Sequence, residues 1–498
     1  VAKNKDLRIV KLTGGLGEED SIRIEHFFSE LDEHIDLPMV SHDMLINHFV
    51  KAFEYYLDNG YKPDKIIEFL DISNLGDYYK GKKRRFFFLD NAAIVYPLGM
   101  KFGQMPIFRL SVELKENIVP ELLQIALDFT IKRFPVFSAV IKNGFFWHYL
   151  ESTNNVPEIN EENDIPCKPI SIILRTKSSI RVLYYKKRIS IEFFHVITDG
   201  NGGLIFLKTL LGEYLRLKGI DVVKNNGVLD INEEPKEEEF VNEFANEKGE
   251  GDFSTFVDKK SVQLSGKLSN LNLTKIIHFK LASDDLKEVS KKYGGTVTAY
   301  ILSLIFLAAK KDSIKKEGLF NIQVPINMRK FNGSRTLRNY SMYFNASMDL
   351  KDVDDRSELV KEMGKQIKEK GSEKLMRQMM QTTGKLIRSL AYVPLSLKIP
   401  VMQIVYGYLG NSIISCTLSN LGMIQADESL SKQIDSFEFI IVPGKPNRVS
   451  ATLVSVNNTT VLTIAKANRE TVFEDEIYNL MKEDGLTIEV EGSVEYES

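Results

Sequence analysis

Two stretches of this chain carry the same succession of strand, tight turn, strand and helix, and that recurrence constrains the fold more than any other feature. In the first, Ile180 to Tyr185 and Arg188 to Phe194 alternate as strands about a Lys186-Lys187 turn. Leu204, Leu207, Leu210, Leu211, Tyr214 and Leu215 then form the apolar stripe of a helix. In the second, Val449 to Val456 and Thr460 to Ala465 flank an Asn457-Asn458 turn, and a closing helix follows. A chain of 498 residues is too long for one core. The repeat predicts two similar lobes.

The rest of the chain fits a mixed α/β pattern around these units. Ile107 to Leu114 alternates as a strand and Val119 to Phe134 reads as a helix. Past the middle, Ile276 to Leu281 is a strand, Ser283 reads as the cap of a helix through Tyr293, and Thr296 to Lys311 is a buried helix. Strands follow near Asn321 to Pro325 and Tyr343 to Leu350. Residues 230–272 are polar and acidic, with Glu233-Glu234-Pro235-Lys236-Glu237-Glu238-Glu239 near their start, and read as an interlobe linker. At the front, Met44, Leu45, His48, Phe49, Ala52, Phe53 and Tyr56 recur at helical spacing after a Ser41 cap, and Pro63 opens a short helix. The expected division is a separate helical extension over 1–85, a first lobe over 86–229, the linker, and a second lobe over 273–498. The basic run Lys80-Gly81-Lys82-Lys83-Arg84-Arg85 marks the first boundary.

Composition narrows the partners. A formal charge of -3 gives no basic domain for nucleic acid. Two cysteines, Cys167 and Cys416, cannot build a disulfide framework, which favours a reducing cytoplasm. The first residues lead into a short strand-like run and not into a signal peptide. Ala299 to Ala309 is too short to span a bilayer, and Pro394, Lys398 and Pro400 interrupt Ala391 to Leu409. No transmembrane segment is therefore expected, while peripheral membrane contact by the second stretch stays open. His26, His34, His42 and His48 lack metal-ligand spacing and read as solvated helix faces, so no metal is expected. Thr13-Gly14-Gly15-Leu16-Gly17 reads as a turn, because it lacks a third glycine and a lysine and runs into acids.

In the first repeat the second strand ends on Phe194-His195-Val196-Ile197-Thr198-Asp199-Gly200. Such a junction presents a side chain at a cleft, and Gly202 and Gly203 supply permissive backbone for the turn. A neutral imidazole there is the usual general base for a hydroxyl, amine or thiol. A buried histidine before an ordinary Asp-Gly turn would give the same spacing; the position between strand and helix favours chemistry. In the second repeat Lys466 or Ala467, depending on register, occupies the place of the histidine.

His-x-x-x-Asp-Gly resembles the signature of the chloramphenicol acetyltransferase-like superfamily, which includes alcohol acyltransferases and peptide-synthetase condensation domains. Leu89-Asp90-Asn91-Ala92-Ala93 with Tyr96-Pro97, then Ile107-Phe108-Arg109-Leu110, is similar to the opening of bacterial alcohol acetyltransferases. Val324-Pro325-Ile326-Asn327-Met328-Arg329, with Thr336-Leu337-Arg338-Asn339 after it, resembles the Asn-x-Arg segment of the second lobe. Ser415-Cys416-Thr417-Leu418-Ser419-Asn420-Leu421-Gly422 resembles a strand shared with dihydrolipoyl acyltransferases. Condensation domains usually carry two adjacent histidines, and Phe194 replaces the first, which leans toward the alcohol acetyltransferase branch.

The resemblance implies an α/β fold of two similar lobes with mixed sheets flanked by helices. It implies transfer of an acyl group, acetyl above all, from acyl-coenzyme A to a small alcohol or amine acceptor, with acyl-coenzyme A as co-substrate and no permanently bound cofactor. His195 would be the base, Asp199 would be held by Arg329, and Ser415 would donate to the tetrahedral oxyanion, with Thr417 and Ser419 on the same strand face. Gly200 and Asn420 would support the site. The alternatives are a freestanding condensation-type enzyme taking thioesters from a carrier protein, and a non-catalytic acyl-binding protein.

Overall fold

A computed structural model describes residues 6–81, 85–100, 105–169, 178–247, 249, 259–266, 275–405, 413–443 and 447–492. Lys82, Lys83 and Arg84 of the basic run, much of 248–274 in the expected linker, and 406–409 of the interrupted apolar stretch lie outside the described residues.

Four helices open the chain: α1 (Leu7–Thr13), α2 (Glu18–His34), α3 (Met39–Asp58) and α4 (Pro63–Phe69). The run before Gly14 is a helix and not a strand, because the Asp6 carboxylate caps it by accepting from the Arg8 amide. Ser41 does not cap α3, which starts earlier, behind Pro38. The expectation of a separate extension meets a packing fact. The Phe49 ring lies tilted against Phe27 at 5.9 Å and edge on to Phe129 of the following lobe at 6.0 Å. The Tyr56 hydroxyl donates to the Leu217 carbonyl at 2.6 Å. These helices and the first lobe share one continuous apolar core. His48 is buried in that seam with Nδ1 2.8 Å from Asp128, so the solvated-face reading fails for it.

The first lobe runs β1 (Phe86–Phe88), α5 (Val95–Gly99), β2 (Ile107–Leu114), α6 (Pro120–Thr130), β3 (Ala139–Asn143) and β4 (His148–Ser152). It continues through β5 (Ile159–Glu161), β6 (Ile180–Tyr185), β7 (Arg188–Phe194) and α7 (Gly200–Leu217). The second lobe begins with β8 (Lys275–Ala282), α8 (Ser283–Lys292), α9 (Val297–Asp312), β9 (Leu319–Asn327), α10 (Arg329–Asn332) and β10 (Ser341–Asp349). Helices α11 (Arg356–Lys370), α12 (Glu373–Ser389) and α13 (Leu395–Val405) follow, then β11 (Cys416–Met423), α14 (Glu428–Ser431) and β12 (Ile434–Ile441). β13 (Val449–Val456), β14 (Thr459–Lys466), α15 (Val472–Glu483) and β15 (Glu489–Gly492) end it. Ser283 does not cap α8; its hydroxyl bonds the Thr460 hydroxyl at 2.7 Å and Ala282 stands at the cap.

Two mixed sheets carry the lobes, in the orders β12-β2-β7-β6-β5 and β10-β9-β11-β13-β14-β8-β15, and a small sheet β1-β4-β3 lies beside the first. The triplet β2-β7-β6 is matched by β8-β14-β13, which is the repeat seen in the sequence. Phe194 pairs with Ile107, the first residue of β2, and Lys466 pairs with Lys275, the first residue of β8. Ala467 therefore stands where His195 stands in the first lobe. Lys466, at the Phe194 position, is fully buried and ion-paired to Glu474.

The lobes are interlocked. β12 leaves the second lobe and pairs antiparallel with β2 along Ile434 to Ile441. Part of the expected linker is also tied down, since Glu239 forms a buried pair with Arg133 and its carbonyl accepts from the Leu337 amide at 2.8 Å. Among the described residues no single helix is long and apolar enough to cross a membrane.

Phe49→Ala is expected to destabilise the whole first lobe by about 3–5 kcal/mol, because it opens a cavity in the seam. Denaturant unfolding followed by a probe in the lobe checks this; a lobe transition that stayed in place would show that the extension is thermodynamically independent.

Candidate active site

His195 follows directly on β7, and its amide donates to the Pro106 carbonyl at 2.8 Å, which extends the ladder by one residue. Its ring lies 4.9 Å from the Tyr96 ring of α5 and 5.0 Å, edge on, from Phe108 of β2. The third contact crosses to the second lobe: Nδ1 is 3.0 Å from Oδ1 of Asn339. The amide of Asn339 can sit only one way round. Its Nδ2 faces the Val196 carbonyl at 3.4 Å and Asp90 Oδ2 at 3.3 Å, and a carbonyl accepts only. Oδ1 then faces the ring, so in the neutral imidazole Nδ1 carries the proton and Nε2 the lone pair. Among the described residues Nε2 has no hydrogen-bond partner, and the ring is half-buried.

Asp90 anchors this chain of bonds from behind. It is fully buried, takes the Ala93 amide at 2.7 Å and lies 3.6 Å from Arg338. Burial pushes its carboxyl above the usual carboxylate range, against the pull of Arg338 and the two amides.

Asp199 is the N-cap of α7, and Oδ1 accepts from the amides of Asn201 at 3.2 Å and Gly202 at 3.1 Å. Oδ2 accepts from Arg329 Nη1 at 2.8 Å and from the Tyr340 amide at 2.8 Å. Burial alone would raise its pKa, but the guanidinium and the amides outweigh it and hold the carboxyl below its ordinary value. Arg329 also donates to the carbonyls of Thr336 at 2.9 Å and Arg338 at 2.5 Å, so it ties the loop bearing Asn339 to the motif turn. Glycine is required at Gly202, where a Cβ would come within 2.1 Å of the Leu337 carbonyl; at Gly200 a Cβ would meet only the end of the Leu421 side chain, at 2.8 Å.

Ser415 is not brought to this site, which corrects the sequence expectation. It precedes β11, is fully buried, and its hydroxyl accepts from the Asn321 amide at 3.1 Å. Leu421, which touches the motif turn, lies six residues further on, about 20 Å along an extended strand. Ser419 is nearer. It is in register with Thr452, whose hydroxyl bonds the Phe439 carbonyl of β12, so Ser419 faces the first lobe while Leu418 enters the second core. Among the described residues the Ser419 side chain makes no hydrogen bond. Asn420 bonds Thr298 at 3.0 Å and caps the bulge by accepting from the Gly422 amide at 2.7 Å.

A cavity of 310 Å³ lies on the other face of β2, lined by Arg109, Glu162, Arg188, His278, Glu438 and Glu491. It does not reach His195, and its arginines are answered by its own carboxylates.

Sequence reasoning gave no role to Asn339, Asp90, Tyr96 or Phe108. All four stand inside the segments that carried the family resemblance, so the signal was present, but only the fold shows that those segments converge on one imidazole. The sequence matches no protein-family model and no curated protein. Solved structures match in fold. The trichothecene 15-O-acetyltransferase TRI3 of Fusarium sporotrichioides is 13% identical over 80% of this chain and 94% of its own, with a TM-score of 0.50. TRI101 of F. graminearum, complexed with coenzyme A and deoxynivalenol, is 10% identical over 81% of this chain and 99% of its own, with a TM-score of 0.54. A mutant starter condensation domain of rhizomide synthetase RzmA, in complex with C8-CoA, is 9% identical over 80% and 94%, also with a TM-score of 0.54. The chain has the two-lobed fold of these chloramphenicol acetyltransferase-like proteins.

The depressed pKa of Asp199 has a direct consequence. Its contribution to stability is fully present above the unfolded carboxyl value of about 3.9 and is lost as pH falls through the lower folded value. Arg329→Ala leaves that carboxylate buried without its cation and is expected to cost about 3–5 kcal/mol. Urea unfolding from pH 7 down to pH 3 checks both; an Asp199→Asn variant that kept the wild-type stability and acid slope would remove the pair from the account.

Proposed function

We propose that this protein is an acyltransferase moving an acyl group, acetyl above all, from acyl-coenzyme A to a small alcohol or amine. The observation that carries the reading is His195 at the lobe junction, with Nδ1 committed to Asn339 and Nε2 left as a base. The fold shared with acetyltransferases crystallised with coenzyme A supports it.

In this reading Nε2 takes the acceptor proton as the acceptor oxygen or nitrogen attacks the thioester carbonyl. A C–O or C–N bond forms and negative charge gathers on the carbonyl oxygen, where the Ser419 hydroxyl is the nearest assigned donor. Collapse breaks the C–S bond, and His195 returns its proton to the departing thiolate. Atoms and charge balance with ester or amide and free thiol as products. Asp199 and Arg329 touch no reacting atom; they hold the turn and the Asn339 loop. Cys167 and Cys416 are free and buried, and burial pushes both thiols well up, so neither serves as a nucleophile. A reducing cytoplasm suits two such thiols. A condensation-type reaction with a carrier-bound thioester would use the same residues, and thiol release from free acyl-coenzyme A separates the two.

His195→Ala is expected to lower turnover by about a hundred- to ten-thousand-fold with the fold intact. Comparable turnover with the best donor and acceptor would sink the mechanism. Ser419→Ala should cost roughly a hundred-fold with little change in donor binding, and Ser415→Ala should act on stability instead. If Ser415→Ala lost turnover while Ser419→Ala kept it, the oxyanion assignment would be reversed. Asn339 is a positioning residue: Asn339→Ala should lower kcat about tenfold or more and displace the pH–rate profile, whereas a merely structural loss would leave the profile in place.

A further inference from the structure

Exposed apolar side chains are usually scattered singly, but on this protein several collect on one face. Phe88 of β1 is 85% exposed, Phe145 in the β3–β4 turn is 72% exposed, and Tyr392 between α12 and α13 is 86% exposed. Phe86, Phe146 and Leu397 accompany them. These segments form one surface. The Leu395 amide donates to the Phe145 carbonyl at 2.9 Å, and Lys398 Nζ donates to the Phe146 carbonyl at 2.8 Å while lying 3.1 Å above the Trp147 ring. Phe146 and Tyr392 meet edge to face at 6.3 Å, and Phe88 pairs with Tyr149 on the adjoining strand. A sheet edge, a hairpin turn and a helix hairpin are projections and not a groove.

The exposed charge on the helix hairpin of this face is basic. From residue 374 to 426 the sequence holds no aspartate or glutamate, and Lys374, Lys385 and Arg388 are exposed there, while Arg377 pairs with Glu247 and Glu373 and Lys398 is buried. The basic run over 80–85 leads straight into Phe86, and Lys142 precedes the turn.

We propose that this face docks the protein on an anionic lipid bilayer. Aromatic rings suit the headgroup boundary, and a basic rim is drawn to acidic lipids by roughly 1 kcal/mol per residue near the surface. The face also reaches the site. Helix α13 packs on α5, with Gln403 Nε2 donating to the Met100 carbonyl at 3.0 Å, and Tyr96 of α5 lies against His195. Docking sets the α5 side of the site against the membrane, where an apolar acyl donor or acceptor concentrates.

The sequence contains one tryptophan, Trp147, and it sits in the docking turn. Phosphatidylcholine vesicles, alone and mixed with phosphatidylserine, are added to the protein without substrate. Trp147 emission should shift to the blue and the protein should float with the phosphatidylserine vesicles, at least tenfold more than with phosphatidylcholine alone, and less as salt is raised. Phe145→Ser with Tyr392→Ser and Leu397→Ser should lower flotation at least tenfold with an unchanged melting temperature, and so should Lys385→Glu with Arg388→Glu. Wild-type protein left unbound by phosphatidylserine vesicles would overturn the proposal, as would equal flotation of the triple-serine variant. Binding of an acidic acyl carrier protein that the same substitutions abolish, without vesicle binding, would assign the face to that partner instead. No turnover enters these measurements, so their failure is separate from failure of the acyl-transfer reading.

Discussion

Asp199 is shared between the two lobes, and the geometry of the site depends on that sharing. One oxygen caps α7 in the first lobe, and the other receives Arg329 and the Tyr340 amide from the second. Arg329 in turn holds the carbonyls of Thr336 and Arg338, which bracket the approach to Asn339. One buried carboxylate therefore sets both the turn that follows His195 and the loop that orients its ring. Removing either partner leaves a buried charge alone, which is why this ion pair specifies an arrangement more than it adds stability.

The interlock of the lobes has the same logic at larger scale. β12 comes from the second half of the chain but pairs with β2, whose Phe108 supports the His195 ring. Thr452 of the second sheet bonds Phe439 of β12, and Ser419 sits beside Thr452. The strand exchange thus places a second-lobe hydroxyl on the face that looks toward the first lobe. The four leading helices add apolar area behind α6 and α7, the elements under the motif turn. They share one apolar cluster with the first lobe.

Strand pairs with short turns were legible because period-two alternation and the turn residues are local: β2, β6 and β7 have the bounds that the sequence predicted. Caps were less legible. Ser41 and Ser283 look like helix starts, yet α3 gains a turn behind Pro38 and Ser283 finds Thr460 across a strand. Such choices depend on tertiary partners that a local pattern does not contain. His195, Asp199 and Arg329 could be picked from sequence, since the motif and the Asn-x-Arg segment are compact. Ser415 against Ser419 could not, because alternation puts both on one face and only contact with the motif turn tells which end of β11 is near. The buried His48–Asp128 pair escaped for the same reason: its helix face reads as polar until α6 covers it.

The partner of His195 is an amide where a carboxylate is the more familiar choice. A carboxylate at Nδ1 favours the imidazolium as well as the tautomer, because an opposite charge nearby stabilises the charged ring. A neutral carbonyl oxygen selects the tautomer while doing much less to favour protonation. The carboxylate is present, but one group further back: Asp90 orients the Asn339 amide, and burial raises its own pKa. In the proposed reaction an alcohol acceptor would be met by a neutral imidazole, and setting an amide between carboxylate and ring suits that requirement.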